Sequence, residues 1–64
     1  MKTYLQVVRK LGDDMYTLHA SGAGMQEVAL FDEVAMAAYI FDVPREVLRK
    51  DIKGYVLKKY GRKL

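Results

Sequence analysis

The sequence predicts an α+β domain in which an N-terminal β-hairpin packs on two helices arranged as a helix-turn-helix. Three observations lead to this fold class. Apolar residues alternate with a period of two over residues 2–10 and again over 15–21, the period becomes that of a helix from Phe31, and a proline at position 44 divides the helical region. The 64 residues are expected to form a single domain.

Composition excludes several classes of protein. With 52% apolar and 30% charged residues the chain is globular in composition, but a chain of this length buries only about 60% of the surface that it exposes when unfolded. It has no cysteine and one histidine, so we expect no disulfide, no metal site and no cofactor. Since no apolar run reaches a membrane span and no signal peptide is recognisable, we expect a cytoplasmic protein without membrane association.

Charge is divided unevenly along the chain. Residues 1–42 carry three basic and six acidic groups, a net charge of −3, whereas residues 43–64 carry eight basic and two acidic groups, a net charge of +6. A positive end of this kind attracts a polyanion or an acidic protein surface. The simpler interpretation is a solvated basic tail that keeps a small protein soluble.

The hairpin is predicted over residues 2–21. Leu5 and Val7 fall on one face of the first strand, and residues 11–14 are turn formers. A loop at Gly12 and Asp13 would place Val7 opposite Leu18, so that one side of the ribbon is apolar. This interpretation makes the neighbouring aspartates a hairpin tip rather than a cation site.

A connection is predicted at residues 22–25. Its two glycines are also found in phosphate-binding loops, but the third glycine and the lysine of the known nucleotide motifs are missing. Residues 25–30 suit either a short third strand or the lead-in to the first helix, and the sequence leaves both open.

The first helix is predicted at about residues 30–41. Phe31, Val34 and Ala38 share one face, and residues 34–41 are apolar in succession, so the helix is apolar nearly all round. Such a helix needs cover on two sides, which predicts a homodimer or a partner interface at Val34, Met36, Tyr39 and Ile40. Alternatively, the hairpin and the C-terminal segment wrap it as the core of a monomer.

The second helix is predicted at about residues 44–53. Pro44 suits a first helical turn, and Asp42 is placed to cap it. The apolar stripe consists of Val47, Leu48, Ile52, Tyr55 and Val56. We expect Gly54 to end the helix and residues 54–64 to form a basic tail. Two alternatives stay open, namely a helix that continues to about Tyr60 and a strand that pairs with the hairpin.

Residues 37–52 resemble the helix-turn-helix of excisionase and MerR-type DNA-binding proteins. Asp42, Pro44 and Val47 stand where glycine, serine and threonine are usual in that pattern, and in that family the hairpin follows the motif instead of preceding it. The positions that match are Ala38, Ile40, Phe41, Val43, Leu48, Arg49, Lys50 and Ile52.

The resemblance implies a small DNA-binding regulatory protein whose second helix enters the major groove of double-stranded DNA. Arg45, Arg49 and Glu46 would then lie at base edges. The basic residues that would contact phosphates are Lys50, Lys53, Lys58, Lys59, Arg62 and Lys63. A dimer would bind two half-sites.

The alternative is a small phage-type interaction or inhibitor module without a nucleic-acid role. It would dock on a host or partner protein through the apolar helix of residues 34–41, aided by tyrosines of the kind enriched at interfaces. An enzyme is not expected, because His19 and Ser21 have no acidic residue placed near them and the chain is too short to enclose a small-molecule substrate.

Overall fold

The computed structural model describes residues 2–21 and 27–63, with side chains for residues 2–20 and 32–63. These residues form three helices, α1 (Tyr4–Ser21), α2 (Glu27–Ile40) and α3 (Arg45–Tyr60), and no strand. The predicted α+β fold is therefore wrong, and the domain is all-helical in its described part. The connection predicted at residues 22–25 lies outside the described residues.

Helix α1 occupies the region predicted as a hairpin. It begins at a capping box, in which the Gln6 N–H donates to Thr3 Oγ1 (3.2 Å) and the Thr3 N–H donates to Gln6 Oε1 (2.9 Å). Apolar residues spaced three and four apart then form one face, consisting of Tyr4, Val7, Val8, Leu11, Met15 and Leu18. This face packs on the core, which is why the helix prevails over the alternation.

Helix α2 begins earlier than the predicted residue 30, so residues 27–30 are helical and do not form a third strand. Its buried face consists of Val34, Ala37 and Ala38. The helix ends in a Schellman motif: the Val43 N–H donates to the Ala38 carbonyl (2.9 Å) and the Asp42 N–H to the Tyr39 carbonyl (3.2 Å). Asp42 has a φ of 54°, so it ends α2 instead of capping α3.

Helix α3 is longer than predicted. It begins after Pro44 and runs through Gly54 to Tyr60. Gly61, with a φ of 66°, ends it by donating its N–H to the Leu57 carbonyl (2.9 Å). The helix continues past the predicted end near Lys53 because its apolar stripe continues, and Val56 is as fully buried as Leu48 and Ile52.

The three helices enclose one core. Tyr4 contacts both Phe41 and Asp51, while Tyr16 stacks on Tyr60, so α1 runs parallel to α3. The core consists of Val8, Leu11, Val34, Ala37, Ala38, Leu48, Ile52 and Val56. Within the described ranges, no helix combines the length and apolarity needed to cross a membrane.

Candidate nucleic-acid interface

The turn between α2 and α3 sets the direction of α3. Residues 41–44 join the two helices, and the left-handed residue of the turn is Asp42, the position where the helix-turn-helix pattern usually has glycine. Aspartate is one of the few residues other than glycine that adopt this conformation at small cost. The departure from the pattern at Asp42 is therefore compatible with a tight turn.

The exposed side of α3 is basic. Lys50, Lys53 and Lys58 are exposed there, beside the exposed apolar side chains of Val47 and Leu57. Arg45 and Glu46 are exposed in the first turn, where a carboxylate is favourable to the helix dipole. After the helix, Arg62 and Lys63 are exposed as well. The side of α3 turned away from the core thus carries more positive than negative charge.

The other acidic residue of α3 is held by α1. The Tyr4 hydroxyl donates a hydrogen bond to Asp51 Oδ2. Burial of the Tyr4 ring, followed by this bond to a carboxylate, raises the pKa of Tyr4 to about 12. The hydroxyl therefore keeps its proton, and Asp51 is tied to α1 at the start of the domain.

Two of the predicted DNA-contacting residues are engaged within the fold. The Nζ atom of Lys59 lies 3.2 Å from Asp13 Oδ1. It also lies 5.6 and 5.1 Å from the ring centroids of Tyr55 and Tyr60. Arg49 is half-buried and also has an interaction partner. Both are less available to a ligand than the exposed cations of α3.

Asp13 is the residue that joins the end of α3 to α1. Its Oδ1 accepts hydrogen bonds from the Tyr60 hydroxyl (2.7 Å), the Tyr55 hydroxyl (2.8 Å) and Lys59 Nζ (3.2 Å). Tyr60 also stacks on Tyr16, with the ring centroids 3.8 Å apart. The sequence placed Asp13 at a hairpin tip and could not indicate this cluster, since its partners lie more than forty residues away.

The apolar residues predicted as an interface divide into two groups. Val34 is 1% exposed and belongs to the core, so it is not available to a partner. Met36, Tyr39 and Ile40 are 61, 86 and 65% exposed on the outer side of α2. They therefore form a continuous apolar surface, which we call the α2 surface.

A groove of about 270 Å³ borders the α2 surface where α2 meets α1. Its apolar lining consists of Val7, Leu11, Met36, Ala37, Ile40 and Phe41, and its rim carries Lys2, Lys10 and Glu33. Among the described residues, no group of three histidine, aspartate or glutamate side chains is placed to hold a metal ion.

Compared with protein families, with curated proteins and with solved structures, the chain finds no match.

Proposed function

We propose that this protein is a small DNA-binding module that inserts α3 into the major groove. The observation that carries the proposal is the basic exposed side of α3, which follows directly on the tight turn at Asp42. The major groove is about 12 Å wide and accepts one helix of about 10–12 Å diameter. A helix that is held on its apolar stripe and charged on its other side is suited to this mode of binding.

The exposed residues have distinct roles in this proposal. Arg45 and Glu46 begin the helix, and their side chains are long enough to contact base edges, where arginine pairs with guanine and glutamate accepts from cytosine. Lys50, Lys53 and Lys58 neutralise phosphates, and Arg62 and Lys63 extend the positive surface beyond Gly61. Lys59 contributes mainly to holding α3 on α1, through its contact with Asp13.

The proposal predicts salt-dependent binding that is sensitive to charge on α3. Fluorescence anisotropy with a labelled duplex at ~50 mM salt should detect binding, and affinity should fall linearly on a log–log plot of salt concentration. Lys53→Glu should lower affinity about tenfold at ~100 mM salt, because it replaces an attractive phosphate contact by a repulsive one.

The matched control is Lys2→Glu, which makes the same change in net charge at an exposed lysine outside α3. It should alter affinity by less than about twofold, since long-range charge effects are screened by salt. An unchanged anisotropy for the parent protein with every duplex tried, or equal losses in both variants, would contradict the proposal.

The second candidate function is protein association through the α2 surface. The observation that favours it is the exposure of Met36, Tyr39 and Ile40 beside an apolar groove. The best-fitting occupant is a second copy of the chain. Tyr4, two residues after Lys2, contacts Phe41, whereas Glu33 lies near Lys10, so Lys2 and Glu33 are at opposite ends of the groove. An antiparallel copy would place Glu33 of each chain opposite Lys2 of its partner.

This candidate predicts a concentration-dependent dimer. Light scattering at high micromolar concentration should give about twice the 7.3 kDa chain mass. Tyr39→Glu should restore the monomer, because it buries a charge in an apolar interface. Leu57→Glu, a change of the same type at an exposed apolar residue of α3, should leave the dimer intact. A monomeric parent protein would exclude self-association through the α2 surface.

A further inference from the structure

A second concave surface lies between α1 and α3 and shares no lining residue with the groove between α1 and α2. This cleft has a volume of about 640 Å³ and is open to solvent. Its lining consists of Leu5 and Arg9 from α1 and of Gly54, Tyr55, Lys58 and Lys59 from α3. It thus shares two residues, Gly54 and Lys58, with the exposed side of α3.

Gly54 has no explanation within the fold. Gly12 is required because a Cβ there would lie 2.5 Å from the Tyr55 ring, and Gly61 is required by its positive φ. A Cβ at Gly54 would meet nothing within 4 Å, so alanine would fit at this position. Alanine would also stabilise the helix, because glycine in a helix interior is destabilising relative to alanine. The exposed glycine therefore leaves bare backbone on the wall of the cleft, where something outside the fold can approach closely.

The charge of the cleft is positive. Arg9 and Lys58 pair with no carboxylate in the described part of the chain, and no described carboxylate lines the cleft. Lys59 adds a cation whose charge is partly balanced by Asp13. Leu5, which is 54% exposed, and the Tyr55 ring supply an apolar floor. The cleft thus combines free cations with apolar surface.

We propose that the cleft holds the sugar–phosphate backbone of one strand of the bound DNA. This inference rests on the proposed function, since a helix that fills the major groove has a phosphate backbone close to each of its sides. Gly54 and Lys58 lie at the edge of the exposed side of α3 that borders α1, so one backbone passes through the cleft. Arg9 and Lys58 neutralise its phosphates, Leu5 contacts the apolar faces of the deoxyribose, and Gly54 removes the side chain that would hold the strand away from α3.

The sugar–phosphate backbone fits this cleft better than an acidic protein segment does. It carries anionic and apolar groups at short intervals, and the cleft combines cations with apolar side chains. The cleft is also continuous with the basic side of α3, so a single ligand reaches both. A separate protein partner would have to bind a wall of the same helix that the DNA is proposed to occupy.

The test compares stability with DNA affinity in the same variants. Gly54→Gln should raise Tm by a few degrees because glutamine is a better helix former, yet lower DNA affinity about tenfold because its side chain fills the wall of the cleft. Arg9→Gln should leave Tm nearly unchanged and reduce the log–log salt slope by about one unit. Lys2→Gln, a cation at the start of the chain outside the cleft, is the control and should leave the slope unchanged.

The opposite signs of the two effects at Gly54 exclude unfolding as the cause of lost binding. If the parent protein binds duplex DNA while Gly54→Gln and Arg9→Gln bind with unchanged affinity and slope, the cleft proposal is overturned and the proposed function stands. If the parent protein binds no duplex, both are overturned. If the cleft binds a protein instead of DNA, Gly54→Gln and Arg9→Gln should bind duplex DNA with unchanged affinity and slope.

Discussion

Gly12→Ala is expected to destabilise the protein, although alanine is the better helix former. The new Cβ would lie 2.5 and 2.9 Å from Cδ2 and Cε2 of the Tyr55 ring and 3.2 Å from Cγ2 of Val56. The ring cannot move away freely, because its hydroxyl is bonded to Asp13. Overpacking of about 3 kcal/mol against a helix-propensity gain of about 1 kcal/mol leaves a loss of about 2 kcal/mol in the free energy of unfolding.

Chemical denaturation followed by circular dichroism measures this loss. The matched control is Gly54→Ala, the same substitution in a helix interior where nothing lies within 4 Å, and it should gain about 1 kcal/mol. Combining Gly12→Ala with Tyr55→Ala should cost less than the sum of the two single changes, because the clash is then absent. A Gly12→Ala variant at least as stable as the parent would show that α1 does not pack this closely on α3.

Asp13→Ala is the second change with a large expected effect, a loss of about 2 kcal/mol in the free energy of unfolding at neutral pH. One carboxylate oxygen accepts hydrogen bonds from Tyr55, Tyr60 and Lys59, so alanine removes three contacts between α1 and the end of α3. Asp14→Ala is the control. Asp14 pairs with Lys10 on the same exposed helix face, and such a pair contributes well under 1 kcal/mol.

The contribution of Asp13 should also depend on pH. Hydrogen bonds lower the pKa of Asp13 from its ordinary value of 3.8, the largest effect coming from the Tyr60 hydroxyl and smaller ones from the Tyr55 hydroxyl and the Lys59 ammonium group. Partial burial opposes this shift. Because the pKa of Asp13 is lower in the folded than in the unfolded state, its contribution to stability is fully present at pH values above the unfolded-state pKa. The contribution is lost as the pH falls through the folded-state pKa. The difference in stability between the parent and Asp13→Asn should therefore shrink as pH falls below about 4. A difference that stays constant down to pH ~2 would contradict this role.

The prediction of a hairpin failed because residues 2–21 satisfy two periodicities. Leu5 and Val7 alternate as in a strand, but Val7, Leu11 and Leu18 also recur at helical intervals. One local signal did favour the helix, namely the capping box formed by Thr3 and Gln6. The sequence suggests a turn at Gly12, because the residue that requires a glycine there, Tyr55, is far away in the sequence and its contact with Gly12 is visible only in the fold.

The helical segment around Pro44 was better predicted than the N-terminal region. The break before Pro44 and the stripe of Leu48 and Ile52 are local features, and the structure places both as the sequence indicated. The cleft could not be predicted, because it depends on Arg9 lying beside Gly54, and the hairpin prediction put Arg9 on a strand. The partners of Lys59 and Arg49 were missed for the same reason.

By itself, the sequence determined which residues can be buried, where α2 must end and where positive charge accumulates. These properties follow from side-chain chemistry and from the fixed φ of a proline, neither of which needs a neighbour in space. Only the tertiary structure decided that α1 is a helix, that α3 continues past Gly54 and that Asp13 joins the two. In a short chain the choice between strand and helix depends on which face finds an apolar surface to cover it, and for α1 that surface is supplied by α3.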